Sequence, residues 1–242
     1  MNMKTSGEAY AVKRMISLYL VVCLFFSLAI PSFAEPIQGA VSELYSAEGN
    51  YEDSVGNREN YSYHIPQIVS SSTEAEEINS EIEEQFGKWI EEQFENMKAG
   101  YSLWSWNTEW HSYWNGSQLF LLITQDSDGG FVNYAAYGYD FETQNRVTNQ
   151  MILEQMGISE EVYLTNLKEK VQLMFEDMNR TVPENLRKEW GYDELLEKTL
   201  NWADIDQPIF INGFGEIETI VKIASFAGAE WYYHLATPFS YG

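Results

Sequence analysis

The sequence predicts an α+β fold: an antiparallel sheet with helices packed on one side, arranged as two helix-then-sheet lobes. Three observations carry that prediction. Apolar residues recur at helical spacing from Ile78 to Met97, and the period drops to two from Tyr101 onward. The same order of helix and then strand returns after Thr148. The joins between successive strands are short turn signals, which connect antiparallel neighbours.

The chain opens with an export signal. Lys13-Arg14 precede an uncharged apolar run from Met15 to Ile30, and Pro31-Ser32-Phe33-Ala34 follow. A positive flank, an apolar stretch and small residues at −3 and −1 predict a signal peptide over residues 1–34, cleaved after Ala34. The rival reading is an uncleaved anchor, but the run has 16 residues, against the roughly 20 that a membrane-spanning helix needs. Val21-Val22 precede Cys23 where a lipoprotein leader would carry a small residue, which argues against lipid attachment.

Charge narrows the partners. Removing Lys4, Lys13, Arg14 and Glu8 with the leader takes the formal charge from −23 to −25. Such a chain repels nucleic acid and anionic lipid, so no nucleic-acid partner is expected, and membrane contact is limited to transient passage during export. It would steer toward a cationic protein, although the same acids also keep an exported protein soluble. Cys23 is the only cysteine and leaves with the leader. The mature chain is expected to hold no disulfide, no Cys-ligated metal, no thiol nucleophile and no cofactor.

Residues 35–59 are polar, contain Gly39, Gly49 and Gly56, and lack sustained periodicity. They read as a flexible linker ahead of an extracytoplasmic domain over residues 60–242. Tyr61, Tyr63 and Ile65 alternate with Ser62 and His64 as a half-buried strand, which Pro66 should end or confine to a sheet edge. Thr73 and Glu76 have the spacing of a capping box. Ile78, Ile82, Phe86, Ile90, Phe94 and Met97 then form one stripe, with Glu77, Glu81, Glu84, Lys88, Glu91 and Glu95 mostly on the other faces. The acidic outer face marks a packed surface helix rather than one lying on a membrane.

Asn115-Gly116 predicts a hairpin with a return strand from Gln118 to Thr124. Asp126 to Gly130 turns into a third strand over Phe131 to Phe141, and 142–145 turns again before Arg146-Val147. A short helix from Thr148 to Met156 closes at Gly157. Ser159 caps a longer one whose stripe is Leu164, Leu167, Val171, Met174, Phe175 and Met178. Pro183 starts a segment to Trp202, breakable at Gly191, with Leu186, Trp190, Leu195, Leu196 and Leu200 inward. Gln207–Ile211 and Ile217–Ile223 read as a closing hairpin.

Trp104, Trp106, Trp110 and Trp114 all fall at even positions of one predicted strand. Indole faces on a sheet can stack on a glycan or anchor a protein, and these four are the candidate ligand-binding residues. The same spacing also suits core packing beneath helices. Glu109 and His111 belong to the opposite face of that strand.

Other chemistry is sparse. Asp126, Asp128 and Gly129 resemble the start of a calcium loop, but the position where an EF-hand has its bidentate Glu is Tyr137. His64, His111 and His234 have no metal-ligand spacing, so no metal site is expected. Glutamate pairs are too abundant to mark the two carboxyls of a glycosidase, and no phosphate loop or nucleophile elbow occurs.

Tyr63-His64-Ile65-Pro66-Gln67-Ile68, followed by Ala75 and Ile78-Asn79, resembles the start of the extracytoplasmic domain of lysozyme-sensing (sigma-V type) anti-sigma factors of Gram-positive bacteria. The same domain type resembles a non-catalytic module of peptidoglycan deacetylases. Tyr139-Asp140-Phe141-Glu142-Thr143, Val147-Thr148-Asn149 and Ile152-Leu153 are similar to its strand-turn-helix element. Ile223-Ala224-Ser225 with Ala227-Gly228-Ala229 is similar to its end, so the resemblance spans about residues 60–235. Only 14 residues stand ahead of the apolar run, so no sigma-binding segment is expected before the leader, and no deacetylase domain is expected after the module. The resemblance therefore implies a sensory or binding module exported alone, engaging a cationic cell-wall-active protein such as lysozyme, or a cell-wall glycan. The alternatives are a cell-wall hydrolase with unidentified catalytic residues, or a glycan-binding module using the tryptophan face.

Overall fold

The computed structural model describes residues 37–101, 106–127, 131–226 and 230–240. β4 (Gln118–Ser127) stands between two apolar clusters. Its run Leu119-Phe120-Leu121-Leu122-Ile123 is apolar at every position, as a strand covered on both faces must be. Leu119, Leu121 and Ile123 enter the first cluster, while Phe120 and Leu122 enter the second.

The α+β architecture is as the periodicity predicts. Sheet A runs β1 (Val41–Glu52), β2 (Arg58–Ile68), β3 (Trp106–Asn115), β4, β5 (Val132–Asp140) and β6 (Asn145–Arg146), in that spatial order. All neighbours are antiparallel except β2 and β3, which meet in parallel at Tyr63↔Thr108. Sheet B has β7 (Ile209–Ile211), β8 (Ile217–Ala224) and β9 (Trp231–Ala236), also antiparallel.

β1 corrects the expected linker over residues 35–59. It pairs along its length with β2, from Val41↔Ile68 to Glu52↔Arg58. Its own polar residues carry little strand signal, and its order comes from the backbone of β2 together with inward residues such as Leu44 and Tyr45. Pro66 does not end β2 either. The register shifts between Glu43 and Tyr45, opposite Pro66, and this bulge accommodates the missing donor so that β2 reaches Ile68.

The helix after β2 has two α segments, α1 (Thr73–Ile82) and α2 (Lys88–Lys98), joined by a π turn at Glu83–Gly87. The stripe explains the π turn. Ile78, Ile82, Phe86, Ile90 and Phe94 recur at every fourth residue, and each such step overshoots one α-helical turn by about 40°. Over four steps the drift is roughly 160°, and one extra residue in the π turn takes back about 100°. Ile78, Ile82, Phe86 and Ile90 are all buried as a result. The cap is Ser72, not Thr73: Ser72 Oγ accepts from the Ala75 amide at 3.2 Å and also bonds the Tyr139 hydroxyl at 2.8 Å. That second bond fixes Ser72 as the boundary, so the Thr73–Glu76 box does not form.

The β3–β4 hairpin turns at Gly116 and Ser117, with Asn115 opposite Gln118. Gly116 has φ +64, which an L side chain would resist. α3 (Asn149–Met156) and α4 (Glu160–Met178) are capped by Thr148 and Ser159; the stop at Gly157 and the Ser159 cap are as expected, whereas Thr148 caps α3 rather than opening it. Along α4 the buried residues are Tyr163, Leu167, Val171 and Phe175, whereas Met178 is 41% exposed. The α4 face is thus rotated from the predicted stripe toward Tyr163. α5 (Glu184–Arg187) and α6 (Tyr192–Trp202) flank Gly191, and Trp190, expected inward, is 47% exposed while Tyr192 is buried. β9 was not anticipated. No helix among the described residues is long and apolar enough to cross a membrane.

Candidate binding surface

Two of the four candidate tryptophans can be placed as side chains. Trp104 lies outside the described residues. Trp106 opens β3 opposite Ser127, and its side chain also lies outside what is described. Trp110 and Trp114 pair with Ile123 and Leu119, so they share the face that packs on α1 and α2. Both are half-buried against that cluster. Trp114 stacks on Phe141 at 5.7 Å, and Phe141 meets Tyr139 edge-on at 4.9 Å.

Trp110 also leads to a polar cluster on β1 and β2. Its Nε1 donates to Glu43 Oε1 at 3.3 Å. Glu43 Oε2 lies 3.1 Å from His64 Nδ1, and Glu48 Oε1 lies 2.9 Å from His64 Nε2. Ser46 Oγ stands 3.2 Å from His64 Nδ1. Partial burial works to lower the His64 pKa, but hydrogen bonds and charge from Glu48 and Glu43 outweigh it and raise the pKa above its ordinary value. His64 is therefore clamped between carboxylates from one neighbouring strand. From sequence alone His64 reads as an isolated histidine, because its partners Glu43, Ser46 and Glu48 fall in the expected linker.

The other histidines do not join it. His111 is exposed on β3, 3.8 Å from Glu109. His234 is on β9, its pKa lowered by desolvation and its Nε2 buried without a partner among the described residues. Asp126 ends up in β4, and Asp128 lies outside the described residues. Among the described residues, no group of three His, Cys, Asp or Glu side chains could hold a metal ion.

α1, the π turn and α2 present an acidic outer face. Glu76, Glu77, Glu81, Glu83, Glu84, Glu91, Glu92 and Glu95 are exposed. Lys88 and Lys98 are the only cations on these elements, and each pairs within the helix, with Glu84 at 3.1 Å and Glu95 at 2.6 Å. Arg146 of β6 forms a two-bond fork on Glu81, at 2.6 and 3.0 Å. Glu76, Glu77, Glu83 and Glu92 have no cationic partner among the described residues.

Glu218 of β8 is partly drawn into the fold. Burial raises the Glu218 pKa, and burial followed by the Glu218 charge raises that of Tyr113. Tyr134 is raised by burial, then by Asp126 and Glu218. Tyr113 also stacks on Phe210 at 6.0 Å. A separate open cavity of about 450 Å³ is lined by Leu153, Glu154, Ile158, Ser159, Glu160 and Ile205 among others.

Residues that carried the family resemblance hold backbone together. Asn79 Oδ1 accepts from the Ile68 amide at 2.7 Å, and its Nδ2 donates to the Ile68 carbonyl at 2.9 Å. Asn149 Nδ2 donates to the carbonyls of Ile205 and Gln207 at 2.7 and 2.8 Å, while its Oδ1 accepts from the Ile209 amide at 3.1 Å. The Tyr139 hydroxyl bonds Ser70 and Ser72, each at 2.8 Å. Asp140 accepts from Ser117 Oγ at 2.8 Å and from the Glu142 amide at 2.9 Å.

Neither protein families nor curated proteins offer a match to this chain. Among solved structures it is similar to a DUF3298 family protein from Pseudomonas aeruginosa PAO1. The TM-score is 0.45 at 12% identity, over 85% of this chain and 92% of that one.

Proposed function

We propose that this chain is an exported, non-catalytic binding module for a cationic protein, with a cell-wall-active enzyme such as lysozyme as the partner. The observation that supports this reading most is the outer face of α1 and α2. Its glutamates outnumber its lysines, those lysines are already paired within the helix, and the apolar stripe beneath holds the face rigid. Because the helices are already formed, binding spends little backbone order, and the excess of carboxylates accelerates encounter with a basic surface.

The test is a titration of the protein with lysozyme at low and moderate salt. Saturable binding that weakens as salt rises is expected, because exposed charges are screened over about 8 Å at physiological ionic strength. Replacing Glu76, Glu77, Glu83 and Glu92 together by Gln should weaken that binding further. Absence of saturable binding at low salt removes this partner. Turnover of peptidoglycan by the purified protein, abolished by one carboxylate substitution, would replace the reading with a hydrolase.

A further inference from the structure

We propose that sheet B carries a second binding surface, formed by Trp231, Tyr233, Lys222 and Trp202, that takes a short acidic saccharide. Trp231 and Tyr233 are two residues apart on β9, the outer strand of sheet B, and so project from one face. Lys222 of β8 pairs with Tyr233 across the ladder and shares that face. Its Nζ stands 4.9 Å from the centre of the Trp231 ring and 5.6 Å from that of Tyr233. Trp202, at the end of α6, meets Trp231 edge to face at 5.7 Å. Lys198, one helical turn earlier, stands 5.1 Å over Trp202 and bonds Glu230.

These rings and both lysines are half-buried. Lys222 makes no ion pair among the described residues, although Asp and Glu number 37 in this chain against 14 Lys and Arg. Its ammonium rests on ring faces instead, held by the attraction of a cation to the negative face of an aromatic ring. The flexible stem of a lysine lets that ammonium move aside. A pyranose could then lay its C–H face on the indole, and a carboxylate on the same sugar would give the displaced ammonium an anion. A neutral sugar would take the ring faces and leave Lys222 without a counter-charge. A long polyanion is disfavoured because the chain as a whole is strongly negative.

This surface lies on sheet B and includes none of the glutamates of α1 and α2, so it stands or falls independently of the lysozyme reading. The test is calorimetric titration of the full chain with trigalacturonate and, separately, with neutral tri-N-acetylchitotriose. Trigalacturonate should bind saturably and about tenfold tighter than the neutral trimer, the scale of one charge-assisted contact. Lys222→Met keeps the stem over the rings and removes the charge; it should erase that preference. Lys168→Met, at an exposed site on α4, should leave it intact. Near-UV circular dichroism checks that each variant keeps its aromatic packing. A Lys222→Met protein that loses that packing is replaced by Lys222→Arg, which should retain the preference. Failure of trigalacturonate to saturate, equal affinity for both trimers, or an unchanged preference in Lys222→Met would overturn the proposal.

Discussion

Tyr63 and Thr108 form the parallel pair that, among the described residues, joins the β1–β2 hairpin to the β3–β6 meander. Both side chains are fully buried, and neither hydroxyl oxygen has a hydrogen-bond partner among the described residues. Burial, followed by the charge of Tyr61, pushes the Tyr63 phenol up to about 12. The join between the two parts of sheet A therefore relies on packing: Tyr63 contacts Trp89 and Phe94 of α2 edge-on, at 5.5 and 5.8 Å. Trp110 adds a polar tie across the same junction through Glu43.

An orphaned hydroxyl at that join makes Thr108→Val a stabilising change. Valine keeps the branched shape and removes a buried oxygen whose desolvation costs about 1–3 kcal/mol. The urea midpoint should rise, by about 1 kcal/mol of stability when half of that penalty is recovered. A lower midpoint would mean that the Thr108 hydroxyl has a partner in solution.

His64 should make stability depend on pH. Its folded pKa is raised, so the stabilisation it gives is fully present below the unfolded value of about 6.5 and is lost as pH rises through the folded value. His64→Gln removes this titration. The gap in urea midpoint between the original protein and the variant should narrow between about pH 6 and pH 8. A gap that stays constant across that window would show that the Glu43 and Glu48 contacts do not hold the imidazolium.

Gly138 on β5 has no room for a side chain. A Cβ there would stand 2.9 Å from Val147 Cβ, 3.2 Å from Phe120 Cε1 and 3.2 Å from the Val147 carbonyl oxygen. Because the Val147 amide donates to Gly138 O at 2.9 Å and holds the two backbones together, Val147 cannot retreat cheaply. Gly138→Ala should cost about 1–3 kcal/mol, read from chemical denaturation. A neutral result would mean that β6 and the turn before it yield easily.

Asn149 ties α3 to the strand that begins at Ile209. Asn149→Ala leaves two carbonyls and one amide of residues 205–209 without these bonds, and should cost about 2–4 kcal/mol. Hydrogen exchange at the Ile209 amide should accelerate selectively. An equal acceleration across sheet A would indicate global rather than local loosening.

Much of the fold was legible because helices declare themselves locally. The stripe from Ile78 to Phe94, the stop at Gly157, the cap Ser159 and the turn signal at Asn115-Gly116 each concern residues within a few positions of one another. Even the π turn has its cause in the sequence, in a spacing of four that a continuous α-helix cannot keep on one face. The reading of Glu109 and His111 as opposite in face to the tryptophans also follows from strand alternation alone.

The polar strand β1 and the platform on β9 were not legible, and the reason is physical. Strand order is created by a partner backbone, so Glu43, Ser46 and Glu48 read as linker until β2 lies beside them. Pairing across the chain then makes a charged clamp around His64, and it sets Lys222 against Trp231 and Tyr233. Periodicity says that an element has a side to hide; it does not say what hides it. By itself the sequence determined which segments would be helices, which would turn, and that the surface would be anionic. Only the tertiary structure decided that β4 would serve two cores and which distant side chains would meet, because those contacts form between residues whose separation along the chain carries no local signal.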